Sequence, residues 1–519
     1  MQNPQAVIEI GSTGIRLLVA EITETDSSQK TRTVLDRSDL PVSVGRDVFT
    51  QGAISRETQA ACIRILTRYA EQIAAWGISR EETTVIGTSA VREAANRDPF
   101  VDRVKVKTGF TVRVIDGIEE NRLMYIAVTD CLKEESLGMR QSDSIILEIA
   151  GGSTEMMLME KGSMVGAHSM RLGTLIIEQQ LYALTATRTD EQRFEDARRF
   201  LQEFIRNTKG TLNTELSLDR VQQFIAVGHD MNIAALFCGK SITPFLWEIQ
   251  RPDFDGFVED IQRYTMDEII AKFRLSYSDA QTFQLSLLSY KEFVGLTNVH
   301  SIIVPETSIR DGIIISHMVD PNDNLRLAFD AQIIASATTL LKKYQGDVAH
   351  ADYVRKVCLR IYDALQSELG MTVHERLLLE ISAILHDIGM FIRAQDHNLH
   401  SHYIILHSEI FGLSREDTSL VAQIASYHRG SRMPQDDPQF KLQPRSHRLV
   451  ILKLAAILRL ADALDRSHQQ KFSDFTISLA KDSITFRVNG YTNLSLEKLA
   501  IAEKGGMFEN VFGYKIVLV

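Results

Sequence analysis

The chain has 519 residues, 44% hydrophobic and 24% charged, which is too long for one core and ordinary for a globular protein of several domains. Its net charge of −10 excludes a chain that is basic throughout, so no nucleic-acid partner is expected; an anionic substrate needs only a local concentration of basic groups. No apolar run is long and uncharged enough to span a bilayer, and the start lacks a basic leader and a cleavage site. Together with four scattered cysteines that form no CxxC pair, this predicts a cytoplasmic protein with reduced thiols and no membrane partner.

In chain order, VIEIGSTGIRLLVAEI (Val7 to Ile22) predicts a β-hairpin, two apolar β-rich runs around a Gly/Ser/Thr turn. Residues 56–76 have helical spacing, with Ile63, Leu66, Tyr69, Ala70 and Ile73 on one side and Gly77 as a stop. TTVIGTSAVREAANR predicts strand, turn and helix. TVRVIDGIEENRLMYIAVTDCL repeats that form, with a strand over Thr111–Ile115 and a helix from about Glu119. IILEIAGGSTEMMLM (Ile145 to Met159) then repeats the opening device 139 positions on, measured from Glu9 to Glu148. Strand-to-helix segments follow at TELSLDRVQQFIAVGHDMNIAALF and SIIVPETSIRDGIIISHMV. In the first of these VGHD reads as a turn with a capping Asp230, the alternative being that His229 or Asp230 touches a ligand cleft. DPNDN, Asp320 to Asn324, is the best linker candidate. Beyond it the spacing predicts long helices through ERLLLEISAILHDIGMFI, TSLVAQIASYHRG and HRLVILKLAAILRLADALDRS. A hairpin at FTISLAKDSITFRV and a closing strand at YKIVLV complete the chain.

A turn rich in Gly, Ser and Thr aims backbone N–H groups and hydroxyls at one point, and such a concavity takes phosphate. A carboxylate at the end of the preceding strand, Glu9 or Glu148, can hold Mg²⁺, which also contacts phosphate oxygens. Two such hairpins facing each other would grip a phosphoryl group from both sides. Duplication of an α/β unit accounts for the repeat.

The blocks GSTGIRLLV, GTSAVREAAN, GIEENRLMYIAV, EIAGGSTEMML, MRLGT and SIRDG, in that order, resemble the exopolyphosphatase/guanosine-pentaphosphate phosphatase family. The resemblance runs nearly end to end. It implies an α/β fold of two actin-like (ribonuclease H-like) lobes, residues 1–130 and 131–320. It also implies that Gly11, Ser12 and Thr13 form the first phosphate loop and Gly151, Gly152, Ser153 and Thr154 the second. Arg92 would contact the phosphate chain, Glu120 would be catalytic, and Glu155 ends the second loop as the family's acid does. Expected substrates are linear polyphosphate and guanosine pentaphosphate, with Mg²⁺ as cofactor and a homodimer as the assembly. The chain departs from the family pattern in having Glu9 and Glu148 where Asp is usual, and Ala150 where a third glycine is usual.

Residues 321–519 carry a second constellation: His350, His386–Asp387, His402, His428 and Asp462. Its order resembles the HD superfamily of metal-dependent phosphohydrolases and implies an all-α HD-type domain with a small β tail. Imidazoles with carboxylates suit Mn²⁺, Fe²⁺, Zn²⁺ or Mg²⁺. Asp462 falls on the apolar face of its helix with Leu454 and Leu458, so it needs a cation, a metal or a hydrogen bond; Arg459 and Arg466 are the nearby cations. Three readings follow: an exopolyphosphatase working in the first cleft, a phosphohydrolase working at the second site, or a polyphosphate- or alarmone-binding regulator.

Overall fold

The computed structural model describes residues 3–24, 30–132, 142–184, 190–318, 324–429, 434–466, 470, 475–488 and 494–519. It divides into two compact units, Met1–Phe329 and Asp330–Val519. Most of the expected linker, residues 320–323, lies outside the described residues, and Asn324 already opens the helix Asn324–Lys343.

The first unit is built on two sheets. One contains β1 (Asn3–Ile10), β2 (Gly14–Glu24), β3 (Lys30–Pro41), β4 (Thr84–Gly87) and β5 (Val112–Val114), in the order β3-β2-β1-β4-β5. The other contains β6 (Ser144–Ile149), β7 (Thr154–Glu160), β8 (Ser163–Met170), β9 (Gln223–Val227), β10 (Lys240–Thr243), β11 (Leu246–Gln250) and β12 (Ser301–Pro305). Its order is β10-β11-β12-β9-β6-β7-β8. Within it, β8-β7-β6-β9-β12 reproduces the first sheet: an antiparallel meander, then two strands added in parallel. The repeat read from the two hairpins is therefore a repeat of topology.

Parallel strands need crossovers, and helices packed on both faces bury them. That is why Val7, Ile8 and Ile10 of β1 are all buried rather than alternating, while β3, at the sheet edge, shows no such run of buried positions. The helix Arg56–Ala75 begins at Ser55, whose side chain accepts the Thr58 N–H, and buries Leu66, Tyr69, Ala70 and Ile73. Tyr69 donates its hydroxyl to the Ile15 carbonyl at 2.8 Å, tying this helix to the strand after the first loop. The helix expected from about Glu119 starts slightly earlier, as Gly117–Cys131, because Asp116 caps it by accepting the Glu119 N–H. In VGHD the capping residue is Gly228 at φ 127°, not Asp230.

The second unit is helical, with a three-stranded sheet. The strands Phe475–Ala480 and Ser483–Val488 form the expected hairpin, and Lys515–Leu518 joins it in parallel. The helix expected through LLHDIGMFI stops at Leu385, and a separate tight turn of helix, Ile388–Phe391, follows. Between the hairpin and the last strand lie two helices absent from the sequence reading, Ser495–Lys504 and Gly506–Phe512.

Candidate active site

The two Gly/Ser/Thr turns are built alike. Gly11 donates its N–H to the Gly14 carbonyl at 2.9 Å, and Ala150 donates to the Ser153 carbonyl at 2.9 Å. Register places Ile10 opposite Ile15 and Ile149 opposite Thr154, which makes Ala150 the counterpart of Gly11 and Glu148 that of Glu9. Ala150 is not among the described residues with positive φ, so its methyl group does not strain the turn.

The turns face each other. A Cβ added at Gly151 would lie 2.9 Å from the Ser12 Cβ, so only glycine admits this approach. Each turn is braced from behind. Val42 and Gly45 donate to the carbonyls of Thr13 and Ser12, and Thr174 and Leu175 donate to those of Ala150 and Gly151. Gly173, from the MRLGT block, runs so close that a Cβ there would stand 2.3 Å from the Gly151 carbonyl oxygen.

A cleft opens between the turns, lined by Gly11, Ser12, Thr13, Glu9, Glu120, Glu148 and Gly151 among the expected residues. Three expected loop residues are not in its lining. Gly152 packs against Phe49 and Ser89, Ser153 is buried, and Thr154 donates its hydroxyl to the Leu172 carbonyl at 2.6 Å. Arg92 is also outside the lining; its Nη1 donates to Glu120 Oε1 at 2.5 Å and to the Ile115 carbonyl at 2.7 Å. The cleft also includes Arg16, Arg37 and Arg310, given no role from sequence, and His229 and Asp230, the alternative reading of VGHD. Arg310 sits in the SIRDG block, so that block was the available signal. Asp230 lines the cleft instead of capping its helix.

Three buried carboxyl groups, Glu9, Glu120 and Glu155, and the half-buried Glu148 set the electrostatics. Glu9 lies between Arg16 (3.6 Å) and Arg310 (3.3 Å). Burial pushes Glu120 up to about 7, against the pull of Arg92. Burial pushes Glu148 up to about 8, and the charges of Glu9 and Glu120 add to it. Glu155 is raised well above the usual range by burial and then by Glu120, although Ser169 Oγ (2.8 Å) and Asn121 Nδ2 (3.0 Å) donate to it.

In the second unit, five of the six expected residues come together and one does not. The side chains of His350, His386, Asp387, His428 and Asp462 converge. His402 stands outside this group; it is half-buried, and its charged neighbours are Asp437 and His407. The place expected for it is taken by His397, whose Nε2 is 3.1 Å from Asp387 Oδ1 and 3.1 Å from His428 Nε2. The two histidines share the helix His397–Leu406, and five residues turn a helix by roughly 140° beyond one revolution, so they face different ways. The cation on Asp462 is Lys504, from the unforeseen helix Ser495–Lys504, rather than Arg459 or Arg466. Gly389 makes the convergence possible: a Cβ there would stand 2.1 Å from the His397 carbonyl oxygen.

A sequence profile of the Ppx/GppA phosphatase family matches residues 19–320, and one of its domain III matches residues 334–502. The chain belongs to the Ppx/GppA phosphatase family. Guanosine-5'-triphosphate,3'-diphosphate pyrophosphatase of Photobacterium profundum is 23% identical over 503 residues, 92% of this chain and 90% of that one. The protein of the same name from Aeromonas hydrophila is 24% identical over 498 residues, 92% of this chain and 91% of that one. Among solved structures, an exopolyphosphatase from Cytophaga hutchinsonii superposes with a TM-score of 0.53 at 20% identity, covering 61% of this chain and 98% of its own. This chain thus has the two-lobed actin-like fold of the Ppx/GppA proteins. The second unit corresponds to Ppx/GppA domain III over residues 334–502.

As a Ppx/GppA phosphatase the protein is a hydrolase of phosphoanhydride bonds. The cleft has what that chemistry needs. Backbone donors and hydroxyls meet the phosphate oxygens, guanidinium groups balance their charge, and a carboxyl group near neutral pKa can take a proton from water. All four cysteines are free, and no described helix is long and apolar enough to cross a membrane.

Proposed function

We propose that this phosphatase releases terminal orthophosphate from linear polyphosphate in the cleft of its first unit. Glu120 carries the reading. It is buried at the cleft with a pKa near 7, and Arg92 holds one of its oxygens, leaving the other to orient a water. The water attacks the terminal phosphorus and gives its proton to Glu120. The P–O bond to the chain breaks, and the shortened chain leaves as an anion. Ser12, Thr13 and the amides of both turns donate to the phosphate oxygens, and Arg16 and Arg310 offset their charge. Arg92 acts through Glu120 on this reading rather than through phosphate.

Enzymes of this family are divalent-metal dependent. Hard oxygen donors crowded together, as Glu9, Glu120 and Glu148 are, fit Mg²⁺. Glu9 already lies against Arg16 and Arg310, so Glu148 is the principal ligand on this reading. When bound, the cation supplies charge neutralisation at the phosphates.

A second reading, hydrolysis of guanosine pentaphosphate at the same site, has its own support. The full-length relatives carry that activity in their names, and polar residues beyond the phosphate loops line the cleft. Asn232 is among them, and its Oδ1 is buried without a hydrogen-bond partner among the described residues. Phosphate release from each substrate, measured with wild type and Glu120→Gln, tests both. Turnover of long-chain polyphosphate that is lost in Glu120→Gln supports the first reading. Turnover of the nucleotide alone replaces it with the second.

A further inference from the structure

We propose that Tyr290 is a positioning residue of the phosphate cleft: its hydroxyl wedges β6 from β9 and fixes where the second Gly/Ser/Thr turn stands. The inference rests on the reading that phosphate binds in this cleft.

The repeat of the two lobes exposes the difference between them. In the first sheet β1 and β4 stay paired to their ends, Ile10 opposite Gly87, and Thr88 donates its N–H to the Ile10 carbonyl at 3.2 Å. In a parallel ladder of this kind the Ile10 N–H goes to the carbonyl of Ile86, the residue before its partner. The counterparts in the second sheet are Ile149 and Val227, because Glu9 stands opposite Ile86 and Glu148 opposite Val227. There the pairing stops at Glu148. Ile149 donates its N–H to Tyr290 Oη at 2.8 Å instead, and Tyr290 donates its hydroxyl to the Val227 carbonyl at 2.5 Å. A side chain from the helix Tyr277–Val294 has taken the place of a ladder bond.

The direction of both bonds is fixed. An amide N–H only donates and a carbonyl only accepts, so the phenol oxygen accepts from Ile149 and gives its one proton to Val227. Tyr290 is 1% exposed, and burial raises it well above the ordinary tyrosine value, so the proton stays on the oxygen. Two bonds meeting at a hydroxyl span roughly 4.5 Å, against about 2.9 Å for one direct bond, so the strands part here. Gly228 leaves room for the wedge, since a Cβ there would lie 3.3 Å from Tyr290 Oη. Open α/β sheets bind ligands in the crevice beyond the carboxyl ends of their strands. This crevice belongs to the cleft, with Ile149, Ala150 and Gly151 lining it from β6 and Gly228 from β9.

The neighbouring bonds show what the wedge controls. Glu148 is paired on both sides, with Val227 and with Glu155, and keeps its place without Tyr290. Ile149 is paired with Thr154 on one side and held by the tyrosine on the other, and the turn of residues 150–153 begins just after it. The hydroxyl therefore acts on the amides of the second turn rather than on Glu148. Glu120 reaches the cleft from the helix Gly117–Cys131 of the first lobe and is independent of it. Loosening the turn weakens ground-state and transition-state binding alike, which raises KM and spares kcat.

Tyr290→Phe keeps the ring and deletes the wedge. In full-length protein, with the phosphate substrate that wild type turns over, KM should rise about fivefold or more while kcat stays within about threefold. Ser289→Ala is the control. It also removes a buried hydroxyl from the same helix, one bonded to the Leu285 carbonyl at 2.8 Å, and should leave KM unchanged. A wild-type KM in Tyr290→Phe, or an equal rise in Ser289→Ala, overturns the inference alone, provided Glu120→Gln is inactive. Full turnover in Glu120→Gln removes the cleft as the site and this inference with it. If Tyr290→Phe fails to fold, para-aminophenylalanine at position 290 keeps the size of the wedge but sets a donor against the Ile149 N–H. KM should rise there too, and a wild-type KM overturns the inference.

Discussion

Arg92 and Glu120 are 28 residues apart in the chain, and in the fold Arg92 Nη1 donates to Glu120 Oε1 at 2.5 Å. Arg92 comes from the short helix Ser89–Glu93 after β4, and Glu120 from the first turn of the helix after β5. Two adjacent parallel strands thus deliver the proposed base and the cation that opposes its protonation. Removing the carboxylate, in Glu120→Gln, should lower the rate of phosphate release by about 10²- to 10⁴-fold with little change in folding, checked by steady-state kinetics and circular dichroism.

The same pair sets a pH dependence. In the proposed mechanism Glu120 takes a proton from water only as a carboxylate, and burial pushes its pKa up to about 7. The active form therefore predominates above that value. The turnover number should fall about tenfold per pH unit below it. Arg92 opposes the effect of burial, so Arg92→Ala should move the acidic limb to higher pH. A limb that stays in place in Arg92→Ala would remove Glu120 as the titrating group.

Glu148 gives a stability prediction. Its folded pKa is about 8, above the ordinary carboxyl value, because burial and the charges of Glu9 and Glu120 disfavour the carboxylate. The unfolded chain loses this proton near pH 4.5 and the folded chain only near 8, so the group penalises folding progressively as pH rises between those values. Glu148→Gln removes the penalty. With no divalent cation added, its melting temperature should exceed wild type by ~2 °C or more at pH 8 and match it near pH 4.5. Calorimetry at the two pH values checks this.

Gly173 and Gly389 each lie against backbone, and added methyl groups should separate the two units' roles. A Cβ at 173 would meet the Gly151 carbonyl oxygen at 2.3 Å, so Gly173→Ala must displace the second Gly/Ser/Thr turn. It should cost about 1–3 kcal/mol of stability and raise KM for the phosphate substrate. Gly389→Ala would push His397 away from Asp387 and should cost stability in the second unit while leaving KM in the first unit unchanged. Denaturation and kinetics on both variants make the comparison.

Much of this was legible in the sequence because its signals are local. The repeated Glu-Ile with Gly, Ser and Thr marked both turns, helical spacing marked Arg56–Ala75, and alternation marked the C-terminal hairpin. Six ordered blocks marked the family. Local signals cannot say where a side chain ends up. Thr154 reads as a phosphate ligand yet bonds to the Leu172 carbonyl, and Arg310, without an assigned role, reaches Glu9. His402 and His397 are equally good ligands by residue type, and only the direction of each side chain on its helix selects His397. Lys504 is 42 residues from Asp462, and no periodicity links them. What the sequence determined by itself was the set of elements and the chemical types available. Which carboxyl groups stay protonated, and which imidazoles converge, depends on burial and on contacts between distant segments, and those exist only once the chain has folded.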